Sequence, residues 1–193
     1  MDDPLALPVS ELLDVLADRR RSPGAGSLAA IATCAAAAIA TRAARYSGTA
    51  WAGAEGAAAQ GEALRLRTAP LAARGADVFG KALDALDEPR EPDPDRRNWQ
   101  LGRALRDSAD VPLQIAEAAA DVAALAAEIA ERGNPELRPD VAAAAVLAEA
   151  GARMSAHLVA VNLGAGPGDE RIERAEALVA FASEHARKAL AER

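Results

Sequence analysis

The sequence Ser22-Pro23-Gly24-Ala25-Gly26-Ser27 leads directly into the run Leu28-Ala29-Ala30-Ile31-Ala32-Thr33-Cys34-Ala35-Ala36-Ala37-Ala38-Ile39-Ala40. Glycines at 24 and 26 permit positive φ and predict a tight turn. Ser27 is the predicted N-cap of the helix that follows. The unpaired N–H groups of a first helical turn, together with the helix dipole, favour a carboxylate or another anion. A helix that is apolar on every side is normally buried on every side, so we expect this helix at the centre of the fold.

The composition predicts an all-α protein. Of the 193 residues, 51% are hydrophobic and only 3% are aromatic, so alanine supplies much of the apolar fraction. Alanine is the best helix former, and its small side chain lets helices pack closely. No run rich in β-branched and aromatic residues indicates a strand. The composition does not shift along the chain, and we expect residues 1–193 to form a single domain.

Charge and cysteine content exclude several classes of function. The net charge is −7, and no basic stripe of the kind that binds nucleic acid is present. The single Cys34 excludes an intrachain disulfide and a CxxC metal or redox site. The apolar run is too short for a membrane span and is followed by Arg42 and Arg45. Without a signal-peptide pattern, these features predict a cytoplasmic protein that contacts no membrane.

The apolar periodicity predicts about six helices. Short turns join most of them, which favours an antiparallel bundle. Pro70 and Pro112 fall inside two long helical segments and are predicted to bend them. Bare alanine faces on a bundle of this size suggest a homodimer.

At the glycine turn the sequence resembles a known family. Pro23-Gly24-Ala25-Gly26-Ser27-Leu28-Ala29-Ala30 is similar to the Pro-Gly-Gly-Gly-Ser-Val-Ala-Ala signature of the cyclodeaminase/cyclohydrolase family. Arg106 followed by Val111-Pro112-Leu113 resembles that family's basic residue before Val-Pro-Leu. Gly133-Asn134 with Asp140, and then Val161-Asn162-Leu163, resemble its later motifs in the same order.

The resemblance implies a helical-bundle homodimer that binds tetrahydrofolate without a metal or a permanently bound cofactor. The family expels ammonia from 5-formimidoyltetrahydrofolate or hydrolyses the 5,10-methenyl ring. Asp140 is the candidate catalytic residue, because a carboxylate stabilises a cationic one-carbon bridge and can relay a proton. The candidate substrate-binding residues are Gly24, Gly26, Ser27, Arg106, Asn134 and Asn162.

The sequence departs from the family pattern mainly at polar positions. Ala25 replaces the middle glycine, Gly75 an acidic residue, Leu158 an asparagine and Ala160 a basic residue. Arg45-Tyr46-Ser47-Gly48 stands where a Gly-Lys-Lys motif is expected. This pattern is typical of a member with an altered substrate. It equally fits a non-catalytic member that binds a folate-like ligand or a partner protein.

Structural roles compete with functional roles at most candidate residues. Asp140 lies near a helix start, where the dipole alone favours a carboxylate. Asn134 beside Gly133 is an ordinary helix stop. Asn162 is equally suited to a structural hydrogen bond and to binding a ligand. Arg106 is placed to pair with Asp110 four residues later.

The histidines and tryptophans are weaker candidates. His157 lies near a motif and is tunable as a general acid or base, but a core or surface position is the more usual one. His185 lies among charged residues and is predicted to be on the surface. Trp51 and Trp99 suit stacking on a pterin, although packing at a helix junction is the more common use of such rings.

Overall fold

Helices account for nearly all of the regular structure in the computed structural model, which describes residues 3–18, 24–87, 94–164 and 168–192. Among these residues there is no strand, and the predicted all-α class is confirmed. Short 3-10 helices span Pro4–Ala6 and Pro135–Leu137. The α-helices are α1 (Val9–Ala17), α2 (Ala25–Arg45), α3 (Ala54–Asp87), α4 (Pro94–Ser108), α5 (Asp110–Arg132), α6 (Arg138–Leu163) and α7 (Glu170–Ala191).

Helix α5 is the central element of the bundle. It packs against α2, α3, α6 and α7, and neighbouring contacts run from α3 to α2, from α2 to α6 and from α6 to α7. Helices α2 and α6 are antiparallel, since Gly26 lies beside Leu158 and Arg42 pairs with Asp140. The start of α2 and the end of α6 therefore meet at one end of the bundle.

The alanine-rich helix α2 is buried on its inner side only. Ala29, Ala36, Ala37 and Ala40 are fully buried, whereas the opposite side of the helix is open and Leu28 is 41% exposed. The prediction that α2 is buried on every side is therefore wrong for a single chain. Helix α5 comes closer to that description, because most of its residues are buried.

Glycines on α3 and α6 let these helices approach the threonines of α2 closely. A Cβ at Gly151 would lie 2.5 Å from Thr33 Oγ1, and one at Gly61 would collide with Thr41 Oγ1. Both threonine hydroxyls donate within α2, Thr33 to the carbonyl of Ala29 at 2.8 Å and Thr41 to that of Ala37. Their polar atoms are satisfied, so the helices can pack tightly around them.

Pro70 lies inside a long helix, as the sequence predicts, whereas Pro112 does not. Helix α3 runs from Ala54 to Asp87 with Pro70 inside it. The chain instead breaks at Ala109, and Pro112 lies in the first turn of α5. A first-turn residue needs no N–H donor within its helix, so proline fits there without a lost hydrogen bond. The segment from 94 to 132 is consequently two helices instead of one bent helix.

Two helical segments, α2 and Pro135–Leu163, are long and apolar enough to cross a membrane by length and composition alone. In α2, 61% of the most apolar stretch is buried inside the fold, as in the core helix of a bundle. In the second segment the buried share is 39%. The outer sides of both segments are thus apolar and open.

We predict that Gly151→Ala destabilises the protein while Gly56→Ala stabilises it. The new methyl at 151 overpacks the contact with Thr33, and we expect a net loss of about 1–2 kcal/mol in the free energy of unfolding. Gly56 lies exposed in α3 with no atom within 4 Å of an added Cβ. There the lower entropy of the unfolded chain should yield a gain of about 0.5–1 kcal/mol. Urea denaturation at one fixed protein concentration measures both, and equal effects would contradict the close α2–α6 contact.

Candidate active site

A cavity of about 230 Å³ lies at the end of the bundle where α2 begins and α6 ends. Four separate parts of the chain supply its walls, and they are the first turn of α2, the middle of α3, the α4–α5 junction and the last turns of α6. The lining residues are Gly24, Ala25, Gly26, Ser27, Gly75, Ala76, Ser108, Val111, Pro112, Ile115, Leu158, Val161 and Asn162. Four predicted substrate-binding residues, Gly24, Gly26, Ser27 and Asn162, thus share one cavity.

The glycine turn reaches the cavity in a different conformation from the one that the sequence suggests. Gly24 is the N-cap of α2 with φ −115° and ψ −162°, which is extended backbone, and Gly26 lies within the helix. The prediction of positive φ is therefore wrong for both glycines, and Ser22 and Pro23 lie outside the described residues. What the glycines provide is open space, since a Cβ at Gly24 would meet nothing within 4 Å.

Ser27 is an internal residue of α2, and the prediction that it is the N-cap is wrong. Its Oγ donates a 2.7 Å hydrogen bond to the carbonyl of Ala72 on α3, and the side chain is buried. This bond ties the start of α2 to α3. The N–H groups of Ala25, Gly26 and Ser27 have no carbonyl partner within α2 because they belong to its first turn. They are the donors that a ligand in the cavity would meet.

The other polar side chains of the cavity also bond to the backbone. Asn162 Nδ2 donates to the carbonyl of Ser108 at 3.4 Å, which links the end of α6 to the α4–α5 junction. Ser108 Oγ donates to the carbonyl of Leu105 at 2.7 Å. Among the described residues, no group donates a hydrogen bond to the amide oxygen of Asn162, which adds an acceptor to the wall.

Three of the four departures from the family pattern line this cavity. Ala25, Gly75 and Leu158 are wall residues, whereas Ala160 is not. A Cβ at Gly75 would lie 3.7 Å from Val111 Cγ1 and 3.9 Å from the Gly26 carbonyl carbon, which are ordinary contacts. A larger residue thus fits at 75. As a result the described lining carries no ionisable side chain.

Asp140 does not reach the cavity of its own chain. It lies in the first turn of α6, about 33 Å along the helix from Asn162. The N-cap of α6 is Leu137, which makes no side-chain cap hydrogen bond, and Asp140 Oδ2 accepts from Arg42 Nη1 at 3.2 Å. The pair lies on the surface, with 61% of the Arg42 side chain and 49% of the Asp140 side chain exposed. A convergence of Asp140, Ser27 and Asn162 within one chain is therefore not observed.

Asn134 lies at the same distant end and has a structural role. Its Oδ1 accepts from the Glu136 N–H at 3.0 Å and caps the 3-10 helix Pro135–Leu137. Its own N–H donates to Ser47 Oγ at 2.8 Å. These bonds hold the α5–α6 connection against the end of α2. Asn134 cannot contact a ligand in the cavity of the same chain.

The predicted Arg106–Asp110 ion pair is replaced by a pair from α7. Arg171 Nη1 lies 2.8 Å from Asp110 Oδ1 and donates at 3.0 Å to the carbonyl of Arg106. Arg171 also bonds to Asp169, and this hydrogen bond lowers the pKa of the Asp169 carboxyl. Arg106 itself is exposed and does not line the cavity. Sequence reasoning missed Arg171, which braces the junction that carries Ser108 and Val111.

The remaining candidates also lie outside the cavity. His157 is exposed on α6, and His185 on α7 stacks against Phe181 with 4.2 Å between ring centroids. Trp51 packs against the main core. Trp99 is 59% exposed, and the guanidinium of Arg103 lies 5.6 Å from its ring centroid.

A wider surface groove of about 620 Å³ lies between the end of α2 and the start of α3. Its walls are mostly alanine, with Arg45, Glu55 and Glu62 at its sides. None of the predicted substrate-binding residues lines it. The smaller cavity is therefore the candidate active site.

The architecture is an all-helical bundle with a small cavity at the start of a glycine-capped helix. The sequence model of the family described as Formiminotransferase-cyclodeaminase matches residues 8–179, and the chain belongs to that family. A solved structure, formiminotetrahydrofolate cyclodeaminase from Thermotoga maritima, is similar with a TM-score of 0.81 and 24% identity, covering 96% of each chain. At this identity the likeness shows the fold alone. Comparison with curated proteins gives no match.

Cys34 is a buried side chain on the α3 side of α2 and does not line the cavity. Its Sγ donates to the carbonyl of Arg65 at 3.7 Å. Burial raises the pKa of the Cys34 thiol to about 11, although the charge of Arg65 opposes the shift. The thiol is therefore protonated at neutral pH and is a poor nucleophile.

We predict that Cys34 reacts slowly with a disulfide reagent such as Ellman's reagent in the folded protein. A pKa near 11 leaves about a hundredfold less thiolate at pH 8 than the ordinary value of 9.0 does. The rate should rise about tenfold per pH unit from pH 8 to 10, provided that the fold persists. Denatured protein is the control and should react at the rate of a free thiol. Fast labelling of the folded protein at pH 7 would contradict this environment.

Proposed function

We propose that this protein is an enzyme of one-carbon folate metabolism that acts on a C–N bond of a substituted tetrahydrofolate. The observation that carries the proposal is the convergence of Gly24–Ser27, Val111-Pro112 and Asn162 on one cavity. These segments are distant in sequence, and each carries a motif that resembles the family. A cytoplasmic homodimer is the assembly that we expect.

The size and lining of the cavity suit the ring system of such a substrate. Ligand pockets usually measure about 300–1,000 Å³, so about 230 Å³ accepts the bicyclic ring and leaves the rest of a folate outside. Val111, Ile115 and Leu158 offer apolar surface to a flat ring. The N–H groups at the start of α2 offer donors to a ring carbonyl or another acceptor.

In the cyclodeaminase reaction N10 of the folate attacks the carbon of the protonated formimidoyl group. The proton of N10 passes to the terminal nitrogen, the bond from the carbon to that nitrogen breaks, and the nitrogen leaves as ammonia, so that the positive charge stays on the 5,10-methenyl product. The walls of the cavity hold the two nitrogens close to the same carbon and limit access of water to the cationic product. The cyclohydrolase reaction instead adds water to the 5,10-methenyl carbon and opens the ring. Both reactions need a group that moves a proton.

A second function is supported by the composition of the wall. No ionisable side chain lies among the described residues that line the cavity, and the side-chain donors in the wall already bond to backbone carbonyls. A non-catalytic member that binds a folate-like ligand, or a partner protein, has these properties. Binding without turnover distinguishes this function from the enzyme.

We predict that Gly26→Leu abolishes folate binding whereas Gly26→Ala retains it. A Cβ at 26 meets only Leu158 Cδ1 at 3.8 Å, so alanine fits, while the longer leucine side chain fills the cavity. Calorimetry with 5-formimidoyl- and 5,10-methenyltetrahydrofolate should show a loss of at least about tenfold in affinity for leucine and less than about twofold for alanine. Turnover, followed by the absorbance of the methenyl compound, should change in parallel.

Two results would count against the proposal. If the wild-type protein neither binds nor converts either folate, the function is wrong. If Gly26→Leu binds as tightly as the wild-type protein and retains its native circular dichroism, the ligand site lies elsewhere.

A further inference from the structure

The wall of the cavity contains a break between two helices. Helix α4 ends at Ser108 and α5 begins at Asp110, with Ala109 between them at φ −71° and ψ −21°. Ser108 lines the cavity on one side of this break, and Val111 and Pro112 line it on the other. The angle between α4 and α5 therefore sets the shape of this part of the wall.

Side chains from two other helices bond to the carbonyl groups at this break. Because Pro112 has no N–H, it cannot donate to the carbonyl of Ser108, four residues earlier. Asn162 Nδ2 from α6 donates to that carbonyl at 3.4 Å, and Arg171 Nη1 from α7 donates to the carbonyl of Arg106 at 3.0 Å. Of these two side chains Asn162 lines the cavity, whereas Arg171 lies outside it.

The guanidinium of Arg171 spans the break itself. The Nη1 that bonds to α4 also lies 2.8 Å from Oδ1 of Asp110, the first residue of α5. Nε and Nη2 donate to the two carboxylate oxygens of Asp169 at 3.1 and 2.9 Å, and such a two-point contact fixes the orientation of the guanidinium. We call Arg171, with Asp169, Asp110 and the carbonyl of Arg106, the Arg171 bridge.

The bond from Asn162 to the wall is the one that a ligand competes for. Its length of 3.4 Å is beyond the usual range for an N–H···O bond, and its donor faces the cavity. The Asn162 amide carries a donor and an acceptor side by side. A cyclic amide edge, like that of the tetrahydrofolate ring, carries the same two groups and can pair with both. When the amide turns to the ligand, it releases the carbonyl of Ser108.

We propose that Arg171 is a positioning residue of the candidate active site. The Arg171 bridge holds α4 against α5 while Asn162 exchanges the Ser108 carbonyl for the ligand. The inference rests on the proposed function for the identity of that ligand. Without the bridge, α4 gains freedom at the break, and binding must restore the geometry of the wall, which lowers the affinity. Once the ligand is bound the wall is back in place, so the chemical step changes little.

Arg171→Gln tests this role, because glutamine lacks the charge and cannot reach α4, α5 and Asp169 together. Calorimetry with 5-formimidoyl- and 5,10-methenyltetrahydrofolate should show an affinity about tenfold lower than that of the wild-type protein. KM should rise by the same factor while kcat stays within about twofold. Arg171→Lys keeps the charge but has no fork of donors, and it should restore part of the affinity.

Arg174→Gln is the matched control. Arg174 lies three residues further along α7 and pairs with Glu117, which also belongs to α5, but this pair does not involve the α4–α5 break. Its loss should leave the affinity for both folates and the kinetic constants at their wild-type values. The urea midpoint of each variant, measured at one protein concentration, shows whether the two changes affect global stability alike.

Hydrogen exchange tests the Arg171 bridge without any folate. The N–H of Ala109 donates to the carbonyl of Arg106, and the N–H of Leu113 donates to the carbonyl of Ala109, both at 3.2 Å. In Arg171→Gln these two amides should exchange at least about tenfold faster, because the break opens locally. The amide of Ala126, buried in the middle of α5, should keep its wild-type rate, and Arg174→Gln should change none of the three.

The possible results separate this inference from the proposed function. Unchanged affinity and unchanged exchange in Arg171→Gln overturn the inference. Equal losses of affinity and of urea midpoint in Arg171→Gln and Arg174→Gln also overturn it, in favour of a purely structural role, and so does a fall in kcat with KM unchanged. If the wild-type protein binds neither folate, the proposed function fails and the ligand-dependent role of Arg171 fails with it. Exchange then still decides whether Arg171 holds the break.

Discussion

The structure depends on the close packing that small residues allow around α2. A bundle held together by large side chains keeps its helices about 8–10 Å apart, but here glycine and alanine meet α2 from α3, α5 and α6. Gly61 and Gly151 admit the two threonines of α2, whose hydroxyls bond back to their own helix. This contact sets the position of the first turn of α2 relative to α6. The cavity is the space that the first turn of α2, α3, the α4–α5 junction and the last turns of α6 leave between them.

The same packing explains which sequence changes the fold tolerates. Ala25, Gly75 and Leu158 replace residues that the family resemblance assigns as glycine, an acid and an amide, and all three line the cavity. Ser27, which matches the family signature, bonds to the carbonyl of Ala72 and joins α2 to α3. The departures from the resemblance at these three positions therefore lie at the wall of the cavity, while a residue that joins two helices matches it.

The fold was predictable from the sequence because helix propensity and apolar periodicity act locally. The helical class, the short turns and the alanine-rich contacts all follow from neighbouring residues. The helix boundaries were harder, since Pro112 marks the first turn of α5 and not a bend. Gly24 caps α2 because the chain enters in an extended conformation, and Ser27 finds its acceptor 45 residues away on α3. A contact with Ala72 is set by tertiary packing and leaves no local signal.

Only the part of the site that lies at the start of α2 was predictable from the sequence. The glycine motif and Asn162 meet because α2 and α6 are antiparallel, which the sequence order of the motifs does not reveal. For the same reason Asp140 and Asn162, at opposite ends of α6, cannot meet in one chain. Arg171 was missed because its partners, Asp110 and the carbonyl of Arg106, are more than 60 residues distant.

The described wall of the cavity in one chain does not supply every charged group that the proposed chemistry needs. The start of α2 presents N–H donors, which suit an acceptor on the ligand, while a cationic one-carbon bridge needs a carboxylate. The described wall has no such group, and Asp140, the carboxylate that the family resemblance offers, lies at the opposite end of α6 in an exposed ion pair with Arg42. The N–H donors at the start of α2 are therefore the part of the proposed chemistry that the described wall of one chain supplies.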